Sequence, residues 1–177
     1  SAGIRIIIVP GTRNSIDAQL KAWDLETEFH NGVRLTNEEA LPLVEQASLG
    51  VAQRIMSHLT ASGLSGIQGN WILARSMGVI NGIDYMRTGR IESIQRDLLE
   101  QLMNEKFVPI IPPIGWNKIG HAYNISSTEL ATELCKYLKV GKLFFIGSES
   151  GIKLEGLVTG RNTKYLEPTD RDRKSVV

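Results

Sequence analysis

The sequence is poor in the residues that build covalent or metal-held frameworks. A single Cys in 177 residues excludes a disulfide scaffold and a cysteine-zinc cluster. The three His residues, His30, His58 and His121, lack metal-ligand spacing. Charge of one sign is missing as well: 20 Lys+Arg stand against 19 Asp+Glu, a net charge of +1. That balance excludes a strongly basic nucleic-acid binder and offers no field that would steer the chain to a membrane. No apolar run approaches the roughly 20 residues of a spanning helix, and the start carries no secretory leader pattern. The three Trp form no basic-aromatic stripe, so single-stranded nucleic acid finds no platform. The expectation is a soluble protein of a reducing, cytoplasmic compartment, with neither nucleic acid nor membrane as partner.

What is present is a core. Hydrophobic residues make up 42% of the chain, enough for one globular domain or a large piece of one. Seventeen Gly and six Pro suit a loop-rich α/β protein and are too few for disorder. Ile4 to Val9 is a near-continuous β-branched run, which reads as a strand buried on both faces. It opens the chain without a Met, as a piece of a longer protein lacking its first element would. A turn-rich segment follows, then Ile16, Leu20 and Trp23 at helical spacing. Thr36-x-x-Glu39 reads as a capping box for a helix from about Asn37 to Leu59, with a bend at Pro42.

Residues 60–69 read as loop and Trp71 to Ala74 as a short strand. Gly78 to Ile94 reads as two or three short antiparallel strands around an Asn81-Gly82 turn. Asp97 to Glu105 reads as a helix with Leu98, Leu99 and Leu102 on one stripe. Phe107 to Ile111 reads as a strand ended by Pro112-Pro113, with Pro109 at a bulge or strand end. Ser126-x-x-Glu129 opens a helix burying Leu130, Ala131, Leu134 and Leu138, and Lys142 to Gly147 forms a further strand. Residues 1–160 read as one domain and 161–177 as a polar tail. Strands alternating with helices imply a three-layer α/β/α sandwich with a mainly parallel sheet and a small β-hairpin region. Ligands in such folds sit beyond the carboxyl ends of the strands, so three loops matter: Pro10 to Ser15, Pro112 to Ser127 and Gly147 to Gly151.

The first loop, V-P-G-T-R-N-S-I-D, joins a strand to a helix start, where backbone amides favour an anion and Arg13 can add a bidentate partner. A simple turn with an exposed Arg is the plain alternative. The loop is not a P-loop, because G-x-x-x-x-G-K-[ST] is absent. Arg34, in H-N-G-V-R-L-T, can clamp a carboxylate or serve as a surface ion-pair residue. In H-A-Y-N-I-S-S-T-E-L, Asn124 and Ser126 are short polar groups able to read an amide or carboxylate, with Ser126 also suited to cap the helix. Cys135 lies within a helix and reads as a packing residue.

Several of these loops together resemble the amino-acid kinase fold of N-acetylglutamate kinases and N-acetylglutamate synthases, from about Ile4 to Ile152. The matching pieces are IRIIIVPGTRNSIDAQL, HNGVRLTNEEALPLVEQA, GIDYMRTGRIESI, FVPIIPPIG and YNISSTELATELCKYLKVGKLFFIGSESGI. The resemblance implies an open α/β/α sandwich, an amino-acid or acetylglutamate pocket, and a nucleotide site in the kinase branch. It matches Gly11 to the first glycine of the kinase glycine loop, Arg34 to the substrate-carboxylate clamp and Asn124 to the acetylglutamate contact.

Departures separate the branches. Thr12 and Arg13 stand where the kinase has two further glycines, and their side chains are expected to block the close backbone approach of phosphoryl transfer. Thr128 stands where the kinase has its organising aspartate. The Gly-x-Arg loop and the G-I-D-Y-x-x-x-G-R-I segment look like the synthase branch instead, whose kinase-like domain binds arginine as a feedback inhibitor and builds the oligomer. In that branch a separate acetyltransferase domain uses acetyl-CoA. The resemblance thus implies a regulatory domain without a cofactor of its own, with Gly11, Thr12, Arg13, Arg34, Asn124 and Ser126 facing L-arginine or N-acetylglutamate in a homo-oligomer. The competing readings are an acetylglutamate kinase using ATP and Mg, and a non-catalytic binding module.

Overall fold

The computed structural model describes residues 4–146 and three further strands at Lys153–Leu154, Leu157–Val158 and Thr163–Leu166. The chain divides into two compact units, residues 1–130 and 131–177. In the first, the elements run α1 (Arg13–Ala22), β1 (Phe29–His30), β2 (Val33–Arg34), α2 (Leu41–Ala61), β3 (Ser65–Ile67), β4 (Ile72–Ser76), β5 (Val79–Ile80), β6 (Ile83–Asp84), β7 (Gly89–Ile94), α3 (Arg96–Asn104), β8 (Phe107–Pro109), β9 (Ile114–Trp116) and β10 (Ala122–Asn124). Helix α4 (Ser127–Leu138) runs through the division. The second unit holds β11 (Leu143–Ile146), β12 (Lys153–Leu154), β13 (Leu157–Val158) and β14 (Thr163–Leu166). There β11 pairs antiparallel with β14, and β12 with β13. Strand β14 lies inside the stretch expected as a polar tail, and the loop Gly147 to Gly151 lies outside the described residues.

Parallel pairing positions the loop ahead of α1, while most strand pairs of the first unit are antiparallel. Strand β8 pairs parallel with β3, and Ile8 bridges Ile110 just beyond β8. The Ile8 amide donates to the Pro109 carbonyl at 2.9 Å, and the Ile111 amide to the Ile8 carbonyl at 2.8 Å. A four-stranded sheet in the order β10-β9-β4-β7 adds antiparallel ribbons around one parallel contact, β4 with β9. Pro109 ends β8, where its missing N–H costs no ladder bond. Because Ile8 and Ile110 are neighbours, the loops that follow them emerge on the same side.

Helix α1 buries Ile16 and Leu20, one turn apart, against Ala40, Leu41, Val44 and Ala47 of the α2 entry and against Ile114 and Ala122 of the sheet. Each fully buried aliphatic side chain stabilises the fold by roughly 1.5–3 kcal/mol. Trp23 ends this helix instead of extending its buried stripe; it is 65% exposed.

Five expectations change in the folded chain. The run Ile4 to Val9 is not buried on both faces: only Ile8 bridges, to one side, and Ile4 and Ile6 are exposed. Helix α2 begins at Leu41, so Pro42 falls in its first turn, where no ladder bond is lost and no bend is required. Thr36 is not its cap; the Asn37 Oδ1 accepts the Ala40 amide at 2.7 Å. Ser65–Ile67, expected as loop, is a strand. On α3, Leu99 is fully buried while Leu98 is exposed. The Asn81-Gly82 turn forms as expected, with both residues at positive φ (51° and 80°) joining β5 to β6.

Gly115 in β9 is required by packing: a Cβ there would meet the Ala74 Cβ and the Ile125 Cδ1 at 2.7 Å each. Gly115→Ala is expected to cost about 1–3 kcal/mol, read as a lowered urea midpoint at unchanged slope.

Candidate functional site

A cavity of about 230 Å³ opens between the α1 loop and the segment leading into α4. Its polar and charged lining comes from Thr12, Arg13, Arg34, Thr88, Asn124 and the Ser126–Thr128 segment, with Ile16, Phe29, Pro113 and Ile125 as apolar walls. Of the expected site residues, the fold brings together Thr12, Arg13, Arg34, Asn124 and Ser126. Gly11 is not among the lining residues, and a Cβ there would meet nothing within 4 Å.

The back wall is a buried polar junction. Thr36 and Thr88 are almost completely buried, and Asn124 is 8% exposed. The Thr88 hydroxyl donates to the Arg34 carbonyl and accepts the Thr36 amide at 3.1 Å. The Thr36 and Thr88 hydroxyl oxygens lie 3.0 Å apart, and the Asn124 amide Nδ2 donates to the Thr36 Oγ1 at 3.0 Å. Backbone bonds run alongside: the Arg87 amide to the Thr36 carbonyl at 2.8 Å, and the Asn124 amide to the Arg87 carbonyl at 2.9 Å. Three segments distant in sequence are thereby zipped at one point, and each buried hydroxyl is satisfied.

Arg34 is held rigidly. Its side chain is only 6% exposed; it pairs with Asp17 on α1 and donates to the Thr27 hydroxyl. Its guanidinium carbon lies 4.5 Å from the centre of the Phe29 ring, and that of Arg13 lies 4.4 Å from the same centre. Phe29 and Arg34 face each other across the β1–β2 hairpin, whose turn is Asn31-Gly32 at positive φ. Thr12 turns its hydroxyl toward the Ser48 Oγ at 3.3 Å and is 4% exposed. Of the two side chains expected to obstruct the loop, Thr12 is therefore packed away, and Arg13 remains beside the cavity. Ser126 both lines the cavity and caps α4, its Oγ accepting the Glu129 amide at 3.4 Å.

Sequence reasoning missed Phe29, Thr36 and Thr88. The first was legible: Asn31-Gly32 is the same hairpin signal as Asn81-Gly82, and a two-residue turn places Phe29 opposite Arg34. Thr36 shares the Arg34 face of an extended segment by the two-residue repeat. Thr88 has no local signal, because its partners lie 52 and 54 residues away.

Close by, Arg87 donates to Glu38 at 2.6 Å, and that bond holds its proton more firmly. Burial pushes the Cys135 thiol up, away from a thiolate nucleophile. Among the described residues no three His, Cys, Asp or Glu side chains are grouped to hold a metal, and no helix is long and apolar enough to cross a membrane.

Thr88→Val keeps the shape but leaves the Arg34 carbonyl and the Thr36 groups short of a partner. It is expected to cost about 1–3 kcal/mol in urea unfolding. Asp17→Asn strips the charge partner from a buried guanidinium and is expected to cost about 1–3 kcal/mol, tempered because Asp17 is half exposed.

The amino acid kinase family profile matches residues 1–155. The amino-acid acetyltransferase of Photobacterium profundum is 35% identical over 168 residues, covering 89% of this chain and 38% of that protein. The amino-acid acetyltransferase of Escherichia coli (strain K12) is 33% identical over 161 residues, covering 86% of this chain and 36% of that protein. The chain thus spans well under half the length of these relatives. Among solved structures, the N-acetylglutamate synthase of Neisseria gonorrhoeae complexed with coenzyme A and N-acetyl-glutamate aligns with a TM-score of 0.80 at 25% identity, covering 90% of this chain and 37% of that one. The same synthase complexed with coenzyme A and L-arginine aligns with a TM-score of 0.79 at 25% identity, over 86% of this chain and 38% of that one. The α/β/α architecture and the match along almost the whole described length lead to one statement: this chain belongs to the amino acid kinase family.

Proposed function

We propose that the chain is the regulatory, kinase-like domain of an N-acetylglutamate synthase, spanning about residues 1–160. It binds an amino-acid-type ligand, transfers no phosphoryl group and supports a homo-oligomer in the cytoplasm. The observation that carries this reading is Arg13 on Phe29, lining the cavity at the loop where phosphoryl transfer requires bare main chain. Thr128, also in the lining, supplies a hydroxyl where an organising carboxylate would be needed. The similarity to amino-acid acetyltransferases supports the synthase assignment. Acetyl transfer from acetyl-CoA to glutamate would then be the work of another part of the longer protein. The domain itself uses no cofactor.

Among the described residues the lining contains two arginines and no acidic side chain. Such a cavity suits a carboxylate and repels a guanidinium, so an acetylglutamate-like ligand fits it better than L-arginine does. We place Arg34 on the ligand's first carboxylate, and Asn124 and Ser126 on its amide or carboxylate oxygens. Thr12 holds the loop from behind, and Gly11 leaves space at its start. The gonococcal synthase has been solved with coenzyme A and L-arginine, which supports L-arginine as a second ligand of this protein; the charge of the lining argues that it sits outside this cavity. Inhibition then requires that the arginine-loaded state differ in free energy from the empty one.

Calorimetric titration is expected to show binding of N-acetylglutamate and of L-arginine, each below millimolar; silence from both would remove the ligand assignment. Arg34→Ala is expected to weaken N-acetylglutamate at least tenfold, the scale of a lost charge-assisted bond of about 1.5–3 kcal/mol. A coupled assay of the full-length protein with Mg-ATP and N-acetylglutamate is expected to show no ADP release. Sustained turnover there would instead support the acetylglutamate kinase reading. An acetyltransferase reading frame following Val177 in the parent gene is also expected; a stop codon there would favour a stand-alone binding module.

A further inference from the structure

Charge is divided unevenly between the two arginines of the cavity. Arg34 is buried, and its charge is already offset by Asp17; that bond and the one to Thr27 leave about three of its five N–H groups for a ligand. Arg13 is exposed, and among the described residues no ion pair offsets it. Among the described residues no acidic one lines the cavity. The one uncompensated charge of the site therefore stands on Arg13, with the guanidinium seated on the Phe29 ring, 4.4 Å from its centre. Stacking leaves the N–H edge of a planar guanidinium available, and that edge matches a carboxylate bidentately. The cavity is small, about 230 Å³, so one amino-acid-sized molecule can meet both arginines.

We infer that Arg13 is a specificity residue for a second carboxylate: it makes this cavity select dicarboxylates over monocarboxylates of the same shape, while Arg34 holds the carboxylate common to both. The inference rests on the reading that the cavity takes an acylated amino acid. Two ligands of almost identical size separate the roles. N-acetyl-L-glutamate carries a second carboxylate; N-acetyl-L-glutamine carries a neutral amide in its place.

Titration of the intact chain with each probe is expected to give at least about tenfold tighter binding of N-acetyl-L-glutamate. In Arg13→Gln the preference is expected to shrink to within about twofold, the larger loss falling on N-acetyl-L-glutamate; Arg13→Lys is expected to keep part of it. Arg34→Gln is expected to weaken both probes by the same factor and leave the preference intact. Rising salt should erode the preference in the parent chain and not in Arg13→Gln. Equal binding of the two probes by the parent chain, or an undiminished preference in Arg13→Gln, overturns the inference while the carboxylate reading stands. If the parent chain binds neither probe, the carboxylate reading falls and the inference with it. Arg13 is exposed and outside the packed core, so its variants are expected to fold, and an unchanged urea midpoint checks this directly.

Discussion

The Thr88 hydroxyl is the small group on which the geometry of the cavity depends. It answers the carbonyl of Arg34, the amide of Thr36 and the hydroxyl of Thr36 at once. Through Thr36 the same cluster reaches the side chain of Asn124. In a dry environment such a cluster is stable only when every member is satisfied, and here each one is. The consequence is positional: the strand ends that present Arg34 and Asn124 cannot drift apart without exposing buried polar groups. A rigid wall of this kind lets the variable chemistry sit on the loops in front of it.

Those loops decide what the cavity can hold. Parallel pairing of Ile8 with Ile110 brings the segment around Thr12 and Arg13 to the same side as the segment around Pro113. A phosphate cradle at that place would need a bare backbone. Instead, Thr12 is anchored to Ser48 on helix α2, and Arg13 lies on an aromatic ring. An amino acid kinase architecture is thus kept while the loop carries side chains in place of bare main chain. This is consistent with relatives named for acetyl transfer, of whose length the chain spans little more than a third.

The cation count alone would mislead. Two arginines line the cavity, yet one is already half neutralised by Asp17 and locked by Thr27. A buried, paired guanidinium has little charge left to offer, whereas an exposed, unpaired one keeps its full charge. Phe29 serves both, since each guanidinium lies within 4.5 Å of its ring centre.

Much was legible before folding was considered. The helical spacing of Ile16 and Leu20, the Asn-Gly turn at 81–82, the strand end at Pro109 and the Ser126 cap are local preferences, and each stands in the structure. The loops that line the cavity were legible too, because a strand followed by Pro-Gly or Pro-Pro must turn at a strand end. What the chain could not announce is everything set by partners distant in sequence. Thr36 carries a capping-box pattern, yet its hydroxyl is taken by Asn124, 88 residues away. Ile4 and Ile6 have the composition of a buried strand, yet burial requires neighbours on both sides, and only Ile8 bridges, to one side. Residue type sets what a position can do; the long-range pairing of segments sets which of those possibilities is used.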